Sequence, residues 1–322
     1  MKNEVSIFLI LLVLFKNSLL LPTPYTNPVI NEDAPEPSVI KEGDYYYLFS
    51  TGEKIFKSKD LINWKFVKKA FEGKRRPVFV DTKIYWAPCI TKQENLFILY
   101  FSLAKWRKPE TGAIGVATSK SPEGPFKLVG DGKLFTSEEV GVLNSIDPFY
   151  IEDDGKKYLI WGSFHGIYGI ELTKDGTQVK NIHNKFQIAG SKFEGAYIYK
   201  RDKYYYLFAS VGNCYHGDSS TCQIVVGRAK DLKGPYMTKN QEPMLDNKYE
   251  FILVGNQKFV GPGHNSRIIE DKIGKTWMLY HAYIRGNPRR IVCIDEVKWT
   301  RNNWPTFEGA FPSTTKRVGP YL

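Results

Sequence analysis

The 322-residue sequence shows few long amphipathic helical patterns, few cysteines and few histidines. Short runs of Tyr, Phe, Val and Ile separated by Gly, Asp, Asn and Pro dominate instead, a pattern typical of an all-β protein. The four Cys and five His form neither the paired-Cys spacing of a zinc ribbon nor a His-Glu-x-x-His motif, which excludes those metal sites. No low-complexity segment divides the chain, which favours a single domain over residues 27–322.

Basic residues exceed acidic ones, but they are not concentrated in one place. The sequence has 45 Lys and Arg against 34 Asp and Glu, a formal net charge of +11. No dense basic block alternates with aromatic residues as in a nucleic-acid-binding motif. We therefore interpret the charge as solvated surface and expect no nucleic-acid partner.

The longest apolar run lies at the N-terminus, within residues 1–22. Lys2 precedes an apolar segment from Ile7 to Phe15, and Lys16 separates that segment from a second apolar patch. A basic start followed by a short apolar core is typical of a secretory signal, and the run is short for a membrane span. We predict a signal peptide and a secreted or periplasmic protein without stable membrane insertion. An uncleaved N-terminal anchor is the alternative.

A hairpin pattern occurs three times, and each copy begins with a carboxylate: Glu36, Asp147 or Glu194. A short strand, a polar turn and a second, aromatic strand follow in each copy. Further strand-like runs extend the pattern to five units of four strands, which start near Asn27, Tyr85, Asn144, Glu194 and Gly261. Such repeats predict a five-bladed β-propeller. If the hairpins are related by rotation about one axis, the three carboxylates converge on it.

Several segments, in this order, resemble glycoside hydrolase family 43, and within it the endo-acting α-1,5-L-arabinanases. The resemblance covers residues 27–312 and rests on Pro35–Ile40, Trp86–Pro88, Gly112–Ser119, Asn144–Pro148, Glu194–Tyr197, Ser220–Tyr236 and Gly261–Asn265. It implies a propeller with a central cleft that hydrolyses α-1,5-L-arabinofuranosidic links of arabinan with inversion. The implied partner is plant cell-wall polysaccharide, either arabinan or pectin side chains, and we expect a monomer.

The resemblance also implies roles for individual residues. Inverting hydrolysis needs one carboxylate to activate a water and one carboxylic acid to protonate the leaving oxygen. Glu36 matches the family's general base and Glu194 its general acid. Asp147 matches a third carboxylate that raises the pKa of the acid, since a nearby like charge disfavours ionisation. His264 matches a histidine associated with a central metal ion, usually calcium.

Two positions depart from the family pattern. The family base is an Asp, and the extra methylene of Glu36 moves the carboxylate by roughly 1–1.5 Å, a misplacement that can cost about a hundredfold in rate. We therefore expect weak hydrolysis, with Asp33 as the alternative base. The familiar Trp-Ala-Pro-Asp motif ends here in Cys89, which removes a polar group near the cleft.

Substrate contacts are predicted for Trp86, Cys89, Asn144 and Ser145, with Trp86 as an aromatic platform. The catalytic and metal-binding assignments also have structural alternatives. Asp147 could cap a turn before Pro148, Glu194 could be a plain exposed carboxylate, and His264 could be a core histidine.

Two other functions stay open. One is an exo-acting arabinofuranosidase or β-xylosidase of the same family, and the other is a propeller that binds arabinan or pectin without cleaving it. A protein-binding scaffold is less favoured, because it needs no inward-facing carboxylates.

Cys214 and Cys222 lie in one loop and could pair in an exported protein. Cys89 and Cys293 are expected to be small buried hydrophobic side chains.

Overall fold

The computed structural model describes residues 21–71, 77–82 and 84–322. Most of the predicted signal or anchor, residues 1–20, lies outside the described residues. Five of the antiparallel sheets in the described chain are arranged as blades, so the predicted all-β, five-bladed propeller is confirmed. Among the described residues, no helix is long and apolar enough to cross a membrane. The α-helix α1 has only four residues (Ser137–Val140), which lie between the second and third blades.

Strand β1 (Pro24–Tyr25) precedes the blades, and four strands in chain order form each of the first four blades. Blade one consists of β2 (Ser38–Glu42), β3 (Tyr45–Ser50), β4 (Lys54–Ser58) and β5 (Lys65–Lys69). Blade two consists of β6 (Trp86–Gln93), β7 (Leu96–Lys105), β8 (Lys108–Ser119) and β9 (Lys127–Thr136). Blade three consists of β10 (Phe149–Asp153), β11 (Lys156–Trp161), β12 (Ile167–Glu171) and β13 (Phe186–Ala189).

Blade four consists of β14 (Glu194–Arg201), β15 (Tyr204–Val211), β16 (Gln223–Ala229) and β17 (Glu250–Leu253). Blade five has an interrupted inner edge, in which two short strands both pair with one long strand. Its strands are β18 (Phe259–Gly263), β19 (Ile269–Glu270), β20 (Thr276–Ile284), β21 (Arg290–Trp299) and β22 (Pro305–Thr306). The last strand, β23 (Arg317–Val318), pairs with β1. Three short 3₁₀ turns complete the described elements: Gly217–Ser219, Met244–Asp246 and Glu308–Ala310.

The core is divided into clusters that lie between neighbouring blades. Strand β3 shows why, because its successive side chains point to opposite faces of the sheet. Tyr46 and Leu48 pack with residues of blade five, whereas Tyr47 and Phe49 pack with residues of blade two. Both faces of the strand are therefore buried, which explains its continuous aromatic run. This packing against both neighbours holds the inner ends of the blades in register around the axis.

The ring closes where the N-terminal segment meets blade five. The backbone of Ile30 bridges Val292 of β21. The side-chain amide of Asn27 donates to the Ile294 carbonyl and to a carboxylate oxygen of Asp295, both at 3.0 Å. These contacts bring the start of blade one against the last blade, where Glu36 meets residues more than two hundred positions away.

Candidate active site

Five equivalent backbone positions surround the axis, one at the inner edge of each blade. All five have left-handed backbone geometry, with φ of 58°, 41°, 61°, 59° and 39° for Glu36, Ala87, Asp147, Gly195 and His264. Each backbone N–H donates to a side chain of the preceding blade; the acceptors are, in the same order, His281, Thr51, Ser102, Asp147 and Ser210. Four of the five positions are not glycine, so these hydrogen bonds stabilise a conformation that non-glycine residues seldom adopt. The register places Glu36 and Asp147 equivalently, and Glu194 one residue earlier.

Glu36 is a buried carboxylate held in an ion pair. Its Oε1 accepts from Arg290 Nη1 at 2.6 Å, and its Oε2 accepts from the hydroxyl of Thr51. Burial is the largest single influence and opposes ionisation of this group. The charge of Arg290 and smaller contributions from His264, His281 and the Thr51 hydrogen bond together outweigh burial and lower the pKa of Glu36 to about 2. Glu36 is therefore ionised across the working pH range of most proteins, as a general base must be.

Glu194 has the opposite electrostatic character. Burial raises its pKa to about 7, with a further contribution from the charge of Glu36, against the lowering effect of hydrogen bonds from Tyr215 and Ser163. The hydroxyls of Tyr215 and Ser163 donate to the same carboxylate oxygen, at 2.8 and 3.2 Å. A carboxyl with this pKa retains its proton in a large fraction of molecules at neutral pH, as a general acid must.

Asp147 is the third buried carboxylate of the site. Its Oδ2 accepts from the backbone N–H of Gly195 at 3.2 Å, next to Glu194. Burial, followed by the negative charges of Glu194 and Glu36, raises the pKa of Asp147 well above its usual value. Since Asp147 and Glu194 disfavour each other's ionisation, the pair holds a proton at neutral pH. The site thus contains an ionised carboxylate and a protonated one, the combination used for acid–base cleavage of a glycosidic bond.

An aromatic cavity of about 250 Å³ adjoins Glu194. Trp86 meets Trp106 edge-on at a ring-centroid distance of 6.0 Å, and Trp106 meets Tyr215 in the same way at 5.4 Å. Asn144 and Ser163 also line the cavity, and the Asn144 amide donates to the Ser163 carbonyl at 2.9 Å. The hydroxyl of Tyr215 therefore links the cavity wall to the carboxylate of Glu194. Two of the predicted contact residues, Trp86 and Asn144, lie here.

The other two predicted contact residues lie elsewhere. Ser145 is fully buried, where its hydroxyl donates to the Val142 carbonyl and accepts from the Trp161 indole. Cys89 is also buried, and its sulfur accepts from the backbone N–H of Tyr150 at 3.3 Å. Both side chains serve packing in this structure rather than lining the aromatic cavity. Cys214 and Cys222, whose pairing the sequence left open, form a disulfide. Cys89 and Cys293 are buried free thiols, as expected.

A second cavity, of about 20 Å³, lies beside His264. Its lining contains neutral oxygen atoms that could bind a metal, but no carboxylate. One of these atoms is the buried Oδ1 of Asn265, which has no hydrogen-bond partner. The cationic side chain of Arg267 lines the same space and donates to the Ile90 carbonyl at 3.2 Å. Calcium takes six to eight oxygen ligands, whereas this volume holds about one water. The residues at His264 therefore do not fit a resident calcium ion.

The described residues contain one group of His, Cys, Asp and Glu side chains close enough to share a metal: Cys214, Cys222 and His281. The disulfide removes both thiolates from that group. The Nδ1 of His281 accepts from the backbone N–H of Glu36 at 3.3 Å, so the neutral imidazole carries its proton on Nε2. This second group is therefore also a poor metal site.

Removal of divalent cations is accordingly expected to leave the protein unchanged. After dialysis against EDTA, the melting temperature and the hydrolysis rate should equal those measured with added CaCl₂, because the cavity beside His264 is lined by the cationic Arg267 and by no carboxylate. Thermal denaturation with and without calcium measures the first quantity. One equivalent of tightly bound calcium in elemental analysis, or a calcium-dependent melting temperature, contradicts this expectation.

Sequence reasoning missed the residues that set the electrostatics of the site, chiefly Arg290, Thr51, Ser163, Tyr215 and His281. Arg290 begins an ordinary strand, and Thr51 and Ser163 stand alone in turns. Only Tyr215 carried a signal, because it lies inside the loop bounded by Cys214 and Cys222.

Comparison with known proteins agrees with the fold. The family model described as "Glycosyl hydrolases family 43" matches residues 25–305. The extracellular exo-α-(1→5)-L-arabinofuranosidase ArbA of Cellvibrio japonicus is 33% identical over 303 residues, which covers 85% of this chain and 86% of the relative. The extracellular endo-α-(1→5)-L-arabinanase 1 of Bacillus subtilis is 30% identical over 300 residues, with 86% and 88% covered.

A solved structure is similar over nearly the same range. The α-L-arabinanase of Cellvibrio cellulosa, determined in complex with arabinohexaose, has a TM-score of 0.79 and 31% identity. The match covers 86% of this chain and 96% of that one. The five-bladed propeller is the fold of these relatives, and the matched family is one of glycoside hydrolases. The chain belongs to glycosyl hydrolase family 43.

Proposed function

We propose that this protein hydrolyses α-1,5-linked L-arabinofuranosyl chains of arabinan, or of pectin side chains, outside the cell. The observation that carries the proposal is the pair of buried glutamates, with the pKa of Glu36 at about 2 and that of Glu194 at about 7. The substrate class is supported by relatives named for arabinan-cleaving activities. Export is supported by the word "extracellular" in the same names.

In the proposed mechanism, Glu36 accepts a proton from the water that attacks the anomeric carbon. Glu194 donates its proton to the leaving glycosidic oxygen, and the configuration inverts because water attacks from the face opposite the leaving group. Asp147 keeps the proton of Glu194 in place before the reaction. The ion pair with Arg290 makes Glu36 a weak base. A general base works best when its pKa lies near the operating pH, so we expect a low turnover number.

An exo-acting arabinofuranosidase is the second candidate, because the 33% identical relative carries that activity in its name. In both cases the same acid and base act, and the difference lies in how the chain enters the cleft. We propose endo action, as in the arabinanases that the sequence resembles.

Incubation with debranched linear arabinan should release reducing sugar. Chromatography of early products is expected to show short arabino-oligosaccharides rather than arabinose alone, since an endo enzyme cuts within the chain. Xylan serves as the matched polysaccharide control and should yield nothing. Arabinose as the sole early product selects the exo alternative. Binding of arabinan without release of sugar selects the non-catalytic propeller and contradicts the proposal.

A further inference from the structure

Tyr215 stands at the start of a loop that a disulfide closes. Residues 212–222 connect β15 to β16, and Cys214 bonds Cys222 across eight positions of sequence. From this loop the hydroxyl of Tyr215 donates to Glu194 Oε2 at 2.8 Å. The same ring meets Trp106 edge-on, and the Arg290 guanidinium lies 5.5 Å from its centroid.

We propose that Tyr215 is a positioning residue for the acid Glu194, and that the Cys214–Cys222 disulfide fixes Tyr215 in that place. This inference rests on the proposed function, in which Glu194 protonates the leaving oxygen. It assigns the loop a role in catalysis, although the loop contains neither of the reacting carboxyl groups.

The loop is anchored at several points besides the disulfide. Both cysteines are 1% exposed, and the sulfur of Cys222 packs so closely on Gly263 that a Cβ at Gly263 would lie 2.3 Å from it. The hydroxyl of Tyr283 donates to the Cys214 carbonyl at 3.2 Å. Because the disulfide is buried, it acts as a permanent constraint on the folded protein rather than as a switch that reductants reach easily.

The hydroxyl of Tyr215 lowers the pKa of Glu194, whereas burial and the charge of Glu36 raise it. The ionisable groups that face Glu194 are Asp147 from blade three, Glu36 from blade one, Arg290 from blade five and Tyr215 from its own blade. Burial and the charge of Glu36 raise the pKa, whereas a donated hydrogen bond stabilises the carboxylate and lowers it. Tyr215 thereby keeps the acid strong enough to transfer its proton near neutral pH.

Tyr215→Phe tests the hydroxyl separately from the aromatic ring. Phenylalanine lacks the hydroxyl but can keep the ring contacts with Trp106 and Arg290. The limb of the pH profile of kcat/KM that reports loss of the acid's proton is expected to move upward, by about one pH unit for one lost hydrogen bond to a carboxylate. We expect KM to change little, because the ring still lines the cavity. Tyr283→Phe is the matched control: it removes a hydroxyl from the loop's support but none from Glu194, and should leave the limb in place.

The disulfide is tested with Cys214→Ser/Cys222→Ser. If the disulfide holds Tyr215, this variant shows the same upward shift, and adding Tyr215→Phe to it shifts the limb no further. An unshifted limb in Tyr215→Phe, an equal shift in Tyr283→Phe, or additive shifts in the triple variant overturns the proposal. Circular dichroism identifies a cysteine variant that fails to fold, in which case the two tyrosine variants decide.

Titration of the Glu194 carboxyl by NMR, with ¹³C-labelled glutamate and with Glu194→Gln for assignment, gives a readout without substrate. The carboxyl resonance should titrate at higher pH in Tyr215→Phe than in the wild type. An unchanged titration overturns the inference even if arabinan is hydrolysed. Absence of hydrolysis with a shifted titration instead contradicts only the proposed function, so the two failures are distinguishable.

Discussion

Replacing Glu194 with Gln is expected to reduce kcat on linear arabinan by roughly 10²–10⁴, the usual contribution of a general acid. Glutamine preserves the shape of the side chain, and its amide oxygen still accepts from Tyr215 and Ser163. The variant therefore removes the transferable proton with little structural change. Steady-state kinetics measure the loss, and the melting temperature should stay close to that of the wild type.

An aryl arabinofuranoside gives the control for this prediction. The phenolate of an acidic phenol departs without being protonated. The loss of kcat caused by Glu194→Gln should therefore be much smaller on the aryl substrate than on arabinan. Activity near wild type on both substrates would remove Glu194 from the mechanism. An equally large loss on both would indicate a disturbed site rather than a missing acid.

Glu36→Gln is expected to abolish hydrolysis while leaving arabinan binding intact, since an amide cannot accept the proton of the attacking water. The variant also leaves the Arg290 guanidinium without its ion-pair partner. Breaking one half of a buried pair typically costs about 3–5 kcal/mol, so the free energy of unfolding should fall as well. Product release and affinity electrophoresis on linear arabinan measure the two functional properties.

Glu36→Asp is the matched variant, because it keeps the charge and shortens the side chain. Withdrawing the carboxylate from Arg290 and Thr51 weakens the interactions that lower the pKa of Glu36, so we expect a stronger base and a higher rate. If the wild type is inactive and Glu36→Asp gains nothing, the binding-module interpretation replaces the enzyme. If Glu36→Gln retains activity, the base lies elsewhere. Asp33 is then the first candidate, since its carboxylate accepts from the Arg290 backbone at 3.1 Å.

The fold could be predicted because its signal repeats along the chain. Each of the first four blades begins with a strand, a turn and a second strand, as in Tyr45–Ser50 after Gly43 and in Tyr204–Val211 after Asp202. Local features of this kind depend on neighbouring residues, which the sequence displays directly. The outermost strand of blade five, Pro305–Thr306, has two residues and is too short to show a period.

The site could be predicted only in part, for a physical reason. Glu36 and Asp147 come just before inner strands and Glu194 begins one, a position that the sequence shows. Arg290 acts on Glu36 from 254 positions away, and no local pattern records that contact. Ser145 shows the opposite case, a residue for which a substrate contact was predicted because it belongs to a recognisable segment. Its hydroxyl instead donates to the Val142 carbonyl and accepts from the Trp161 indole. Proximity in sequence to a catalytic residue does not determine which way a side chain points.

The contact between the first and last blades also bears on when this protein becomes active. Glu36 and its partner Thr51 belong to blade one. Arg290, which forms the ion pair with the Glu36 carboxylate, and His281, which accepts from its backbone N–H, belong to blade five. During synthesis, the first blade emerges from the ribosome long before its partners exist. A growing or partly threaded chain therefore has no tuned base, whatever local structure it forms. The environment that ionises Glu36 is therefore completed in one late event, when blade five closes the ring.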